Sequence, residues 1–577
     1  MNRSPWLVAL VVSLFLVLIA VACAPTPTAT PPPPTAVPPA ATKAPVAPSA
    51  PAPTTAPAAT AVSATKAPEP TKAPEPTKAP APTVAPTAAV KAPTQGGVLK
   101  ISTVPDADIL GYPPTMTKLN DFNFAVTSLE TLITFDETGA PVPNLASEWK
   151  VDVANKTITL ALQKGVKFHD GSDFNAKVAK WNLDGIRTSK RTELAAVSSI
   201  DVVDDNTIRL NLSKYDSSLL ITLAGPVGLM ISQAAFEKNG GAAWSEKNPV
   251  GTGPFKLVSW QRDVKQVYAR FADYRQKGKP YLDGVEWVII ADPLVRLASF
   301  KAGESQVTQN IEPKDAKALE ADTKYRIATL ASALYGLAPD GGNANSPFAK
   351  LAVRQAVETA IDKQAICDSL GYGYWKPLYQ AAAPGSWAEN TKVVGNKYNV
   401  TKAKQLLTEA GYPTGFKTTI YTPNSPQIIV DMLTAVQGYL KVVGIDAKIE
   451  AMEQVRYGDV YAGKGWQDGL AMAPMGLSPN EIGLLNRVFL PGSVLLPNAL
   501  RPPAFQQKLA EIGAAADNDA KQKLTWDLQK IGTDDNAMMI WIHSNVGVTA
   551  MQIKVHNDGF NKTIGVPWTP AETWMDK

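Results

Sequence analysis

Lys417-Thr418-Thr419-Ile420-Tyr421 reads as a strand, Pro426 to Val443 as a long helix stopped by Gly444, and Asp446-Ala447-Lys448-Ile449-Glu450 as a second strand. Strand, helix and strand in succession form a β-α-β unit, the building block of parallel α/β sheets. Working outward, Thr401 to Ala410 is a helix ended by Gly411 and Pro413, and Pro347 opens a helical run to Leu370. Pro503 to Ala516 and Ala520 to Gly532 read as helices, and Ala537 to Ile542 as a strand. Upstream, Val98 to Val104, Thr157 to Leu162, Thr207 to Leu212 and Val285 to Ala291 read as strands, and Phe255 to Trp260 with Lys265 to Phe271 as a strand pair. Phe174 to Arg187 has helical spacing, and Asp292 to Lys301 turns helical. The mixture predicts α/β with more than one lobe.

The 577-residue chain is too long for one ordinary core. Arg3 and the apolar run Trp6 to Ala22 have the layout of a secretory signal, which ends in Ala20-Val21-Ala22-Cys23. Cys23 resembles the lipidated cysteine of a bacterial lipoprotein, although Ala20 stands where such boxes usually carry Leu; a plain cleaved signal and an uncleaved anchor are the alternatives. Residues 24–95 hold 21 of the 48 prolines and no aromatic residue, and they repeat Thr-Lys-Ala-Pro-Glu-Pro at 65–70 and 71–76. Such a stretch buries too little apolar surface to offset its ordering entropy and reads as an extended tether. The net charge of +4 belongs to this end of the chain: Arg3 adds one, and five Lys against two Glu in 24–95 add three. The remaining 50 basic and 50 acidic residues cancel. A neutral body argues against nucleic acid as a partner.

Five stretches in order resemble the peptide/nickel-type extracellular solute-binding proteins, family 5, the relatives of oligopeptide- and dipeptide-binding proteins. They are Leu129 to Asp136 with Gly139, Pro143 and Glu148-Trp149; Leu162 to Gly171; Asn248 to Phe255; Val353 to Val357 with Ala360 to Lys363; and Ala403 to Leu407 with Glu409 to Tyr412. The resemblance implies an α/β, two-lobed, periplasmic-binding-protein-like fold of class II (cluster C type) with an extra domain inserted in the first lobe. It divides the chain into a signal (1–22), a linker after lipidated Cys23 (23–95), lobe I (96–115 and 249–335), an inserted domain (116–248), lobe II (336–542) and a return to lobe I (543–577). It further implies a monomer, held at the membrane by its lipid, that passes a peptide or related solute to ABC permease subunits whose ATPase is a separate chain.

Residues for chemistry are sparse. His169, His543 and His556 are the only histidines, and neither a zinc motif, a phosphate loop nor a Gly-x-Ser-x-Gly elbow is present. No cofactor, metal site or catalytic group is expected. His169-Asp170-Gly171 reads as a hydrogen-bonded turn, and Cys367 as a buried hydrophobe rather than a nucleophile. The ligand candidates are the loop aromatics Tyr112, Tyr374, Trp387, Tyr457 and Trp466, whose rigid surfaces suit binding. Met475, Asn480 and Glu481 join them. Peptide-binding relatives place an ammonium-pairing Asp near Met475, but no Asp lies between Asp468 and Glu481 here. Either Glu481 or Asp106 takes that role, or the ligand is not a simple peptide but an oligosaccharide, a glycoside or another solute. A surface hydrolase and an adhesive protein on the same fold are the rival classes.

Overall fold

The structure, a computed structural model, describes residues 92–577 apart from 117, 138, 190, 478–480, 516–517 and 563–564. The signal segment, Cys23 and nearly all of the linker lie outside the described residues, as does Asn480. Eleven strands make the main sheet. Numbered along the chain, they are β1 (Val98–Thr103), β2 (Phe255–Gln261), β3 (Lys265–Arg270), β4 (Gly284–Ile289), β5 (Val307–Gln309), β6 (Tyr325–Pro339), β7 (Lys376–Pro377), β8 (Lys417–Pro423), β9 (Asp446–Met452), β10 (Gly469–Gly476) and β11 (Ile540–Gln552). Their spatial order is β2-β3-β4-β1-β5-β11-β6-β10-β8-β9, with β7 on β11.

The sheet is parallel in two places. β1 lies between β4 and β5, parallel to both. β8 lies between β10 and β9, again parallel to both, and the helix Gln427–Val442 makes the β8-to-β9 crossover. That helix buries Ile429, Met432, Leu433, Val436 and Leu440, the three-and-four spacing of one face. Each parallel section has its own core. Leu99, Ile101, Val285 and Trp287 pack in the first, and Ile420, Leu433, Val436 and Leu470 in the second. Among the described strands only β6 and β11 run through both, so the fold is two-lobed.

Residues 146–212 carry a separate antiparallel four-stranded sheet, with Ala146–Asp152, Thr157–Leu162, Thr207–Leu212 and Val197–Asp204 in that order. The helix Ala176–Arg187 starts where the Asn175 side chain accepts from Lys177 N and Val178 N. It packs Leu183 and Ile186 among Ile158, Leu160, Ile208 and Leu210.

Two expectations for the elements change, and one strand had no expectation. The run from Pro347 to Leu370 is two helices, Leu351–Ala360 and Lys363–Gly371, because Ile361 is extended and the Asp362 side chain caps the second by accepting from Ala365 N. The last strand starts at Ile540, not Ala537, and runs on to Gln552. β6 was not foreseen at all. It is long but mostly half-buried in its first part, so it lacks an apolar alternation.

Candidate functional site

β6 and β11 pair antiparallel from Tyr325–Gln552 to Leu337–Ile540, with register shifts between Ala331 and Ala333 and between Tyr335 and Gly336. Such irregularities bend a strand pair and increase its twist. They fall where partners change: β6 gains β10 from Ala333 onward, whereas the far half of β11 pairs with β5 through Met551, Ala550 and Thr549. The chain crosses between lobes at this point.

A cavity of about 200 Å³ opens beside the crossing. Thr103, Gln309 and Asn310 stand at the carboxyl ends of parallel strands β1 and β5, where α/β sheets commonly hold ligands. Leu330 to Ser332 of β6, Gly547 to Thr549 of β11, and Leu477 just after β10 close a second side. Phe122 and Phe124, from the helix Leu119–Ala125, form the floor with Trp287. Phe124 meets the Trp287 ring edge-on at 4.8 Å, and the indole N–H donates to Thr127 Oγ1 at 3.1 Å, so the floor is fixed by packing.

The polar part of the lining is made of amides and hydroxyls. Asn561 Nδ2 donates to Ala328 O, Gly547 O and Thr549 Oγ1 at 2.9–3.1 Å. Asn310 Nδ2 donates to Val104 O at 2.7 Å, and Asn120 Nδ2 to Asp106 O at 3.0 Å. These donors tie the helix Leu119–Ala125, the residue after β5 and the segment around Asn561 to the backbone of β6, β11 and the stretch after β1. The half-buried side chains of Asn123, Gln309 and Ser332 make no hydrogen bond to any described residue. No lining side chain among the described residues is titratable.

The foreseen ligand residues are scattered, and those the structure describes do not line this cavity. Tyr457, Trp466 and Met475 are buried inside lobe II, at 3%, 4% and 1% exposure. The Tyr457 hydroxyl donates to Met472 O, Trp466 Nε1 donates to Gly469 O at 3.2 Å, and Met475 pairs with Leu334 across β10 and β6. Tyr112 stacks on Phe236 at 5.6 Å, Trp387 is exposed, and Tyr374 bonds to Glu320. Glu481 begins the helix Glu481–Phe489. Asp106 is already committed: it accepts from Ala107 N, Trp260 Nε1, Asp263 N and Gln266 Nε2 at 2.6–2.9 Å. His169-Asp170-Gly171 is a turn, in which Asp170 accepts from both Ser172 and Ser232. Cys367 is buried, which pushes its thiol up to about 12. The amides that do line the cavity carried no sequence signal beyond their type, which is ordinary in loops.

A two-lobed α/β chain with a cavity where its crossing strands change partners has the architecture of the periplasmic binding proteins. Residues 140–476 match the family described as bacterial extracellular solute-binding proteins, family 5 (middle), and the chain belongs to that family. It is 32% identical over 339 residues to the glutathione-binding protein GsiB of Pectobacterium atrosepticum, an alignment covering 58% of this chain and 65% of that one. Over 330 residues it is 32% identical to GsiB of Escherichia coli strain K12, covering 56% and 64%. The alignment thus spans just under two thirds of these relatives' length. In structure it resembles the Helicobacter pylori periplasmic binding protein DppA in complex with peptide STSA, with a TM-score of 0.71 at 24% identity over 84% of this chain and 99% of that one.

Proposed function

We propose that this chain is the extracytoplasmic solute-binding component of an ABC importer, which captures a peptide or related small solute between its lobes and hands it to permease subunits. The observation that carries this reading is the cavity at the lobe crossing, framed by both β6 and β11, where a hinge motion changes its shape. The names of its relatives support it: GsiB is glutathione-binding, and the DppA structure holds a peptide. We further propose that the chain works as a monomer, anchored by lipid on Cys23 and held off the membrane by 24–95.

Native mass spectrometry of the purified chain, followed by small-angle scattering with and without the ligand, tests the reading. The expected result is a co-purified small molecule whose addition compacts the protein. Bond cleavage in that molecule, or no bound solute under any condition, sinks it.

A further inference from the structure

We infer that the crossing cavity accepts an uncharged, hydrogen-bonding segment of its solute, and not an ammonium or carboxylate end. The inference rests on the reading of this cavity as the solute site. A charge moved out of water needs an opposite charge or several aligned dipoles. The cavity offers no described charged side chain. Asp106, named above as a candidate partner for an ammonium, has its oxygens occupied by four donors.

What the lining does offer matches neutral polar groups. Asn123 and Gln309 each carry an amide that both donates and accepts, and Ser332 adds a hydroxyl. Sugar hydroxyls and peptide-bond amides share this donor–acceptor character. The aromatic floor of Phe122, Phe124 and Trp287 suits the apolar side of the same group. A volume of about 200 Å³ is below the ~300–1,000 Å³ of pockets that enclose a whole drug-sized ligand. The cavity therefore takes one ring or one residue, while the rest of the solute extends outside it.

Calorimetry on the full mature chain tests this, with neutral oligosaccharides in one arm and matched peptides, free-ended or N-acetylated and C-amidated, in the other. The expected result is binding of an oligosaccharide or a blocked peptide, with Kd changing by less than about twofold between roughly 50 and 500 mM salt. The arm that binds identifies the source of the neutral group. Asn123→Ala and Gln309→Ala weaken binding about fivefold or more, while circular dichroism reports an intact fold. A free-ended peptide bound about tenfold tighter than its blocked form, with that preference removed by Asn123→Ala or Gln309→Ala, overturns the inference and leaves solute binding standing. If neither arm binds, the co-purified molecule decides: one that carries a neutral hydrogen-bonding ring or amide segment supports the inference, and one whose polar groups are all charged overturns it. The absence of any bound molecule overturns both readings.

Discussion

The phenol of Tyr374 donates a 2.6 Å hydrogen bond to Glu320 Oε1. Glu320 follows the helix Pro313–Leu319, and Tyr374 precedes β7, so the bond joins two segments far apart in sequence. Lys317 first, and Tyr374 second, hold the Glu320 carboxyl below its ordinary value. An acid with a lowered folded pKa stabilises above its unfolded pKa, 4.5 here, and loses that contribution as pH falls through the folded value. Tyr374→Phe costs only a few tenths of a kcal/mol because the pair is exposed. At pH 7 it speeds hydrogen exchange of the backbone around Glu320 and Tyr374. That difference shrinks as the acid is protonated, and equal exchange at pH 7 removes the tie from the account.

His543 of β11 lies flat between the Trp375 indole at 3.8 Å and the Tyr335 ring at 4.9 Å. It is fully buried, and neither ring nitrogen has a partner among the described residues. Burial pushes its pKa down to about 3. The unfolded chain takes up a proton near pH 6.5 and the folded chain does not, so stability is full above that pH and falls on acidification toward pH 3. His543→Phe keeps a flat ring in the stack and removes this slope. Urea titrations should show the parent losing roughly 2–3 kcal/mol more than the variant between pH 6.5 and 4.5. Parallel losses in the two proteins are incompatible with a buried neutral imidazole.

Lys363 and Glu358 form an ion pair at 2.9 Å with each side chain 1% exposed. Leu378 O accepts a second bond from the ammonium at 3.1 Å, Asn396 donates to the other carboxylate oxygen at 2.9 Å, and the Tyr379 ring lies 4.1 Å from the charge. Burial lowers the Lys363 pKa, and Glu358 opposes that. Glu358→Gln or Lys363→Met alone strands a buried charge and costs roughly 3–5 kcal/mol. The double variant costs less than the sum. Additive losses in a double-mutant cycle mean that the two groups act independently.

The β8-to-β9 unit was legible because one helix face and two strands each bury a single side, and Leu433 and Val436 fall where the spacing puts them. β6 and the extension of β11 were not. They change neighbours midway, so Ala331, Ser332 and Ala333 are half-buried and the polar Ser544 is buried, and no period survives. The break at Ile361-Asp362 was readable in principle, since Asp is a favoured cap. The aromatic candidates and the cavity lining lie apart. Tyr457 and Trp466 satisfy their polar atoms on main-chain carbonyls and fill lobe II, while the cavity is lined by Asn and Gln, which are common in every loop. Recognition by neutral dipoles leaves no charge pattern in a sequence.

Gly251 belongs to Val250-Gly251-Thr252-Gly253-Pro254, one of the stretches that carried the family resemblance, and its environment is entirely structural. A Cβ there would stand 2.3 Å from Ser128 O and 2.9 Å from Leu129 Cα, and one at Gly253 would stand 2.6 Å from Ser128 O. The main chain uses that closeness: His169 N donates to Gly251 O, and Gly253 N donates to Ser128 O, both at 2.9 Å. Three distant segments are thus clamped by backbone contact, and none of them lines the cavity. Gly251→Ala forces backbone apart and costs about 1–3 kcal/mol, read as a lower Tm. The folded fraction keeps its affinity for solute, because the clamp joins backbone segments away from the cavity. A variant with parental Tm but weakened binding assigns the motif to recognition and not to packing.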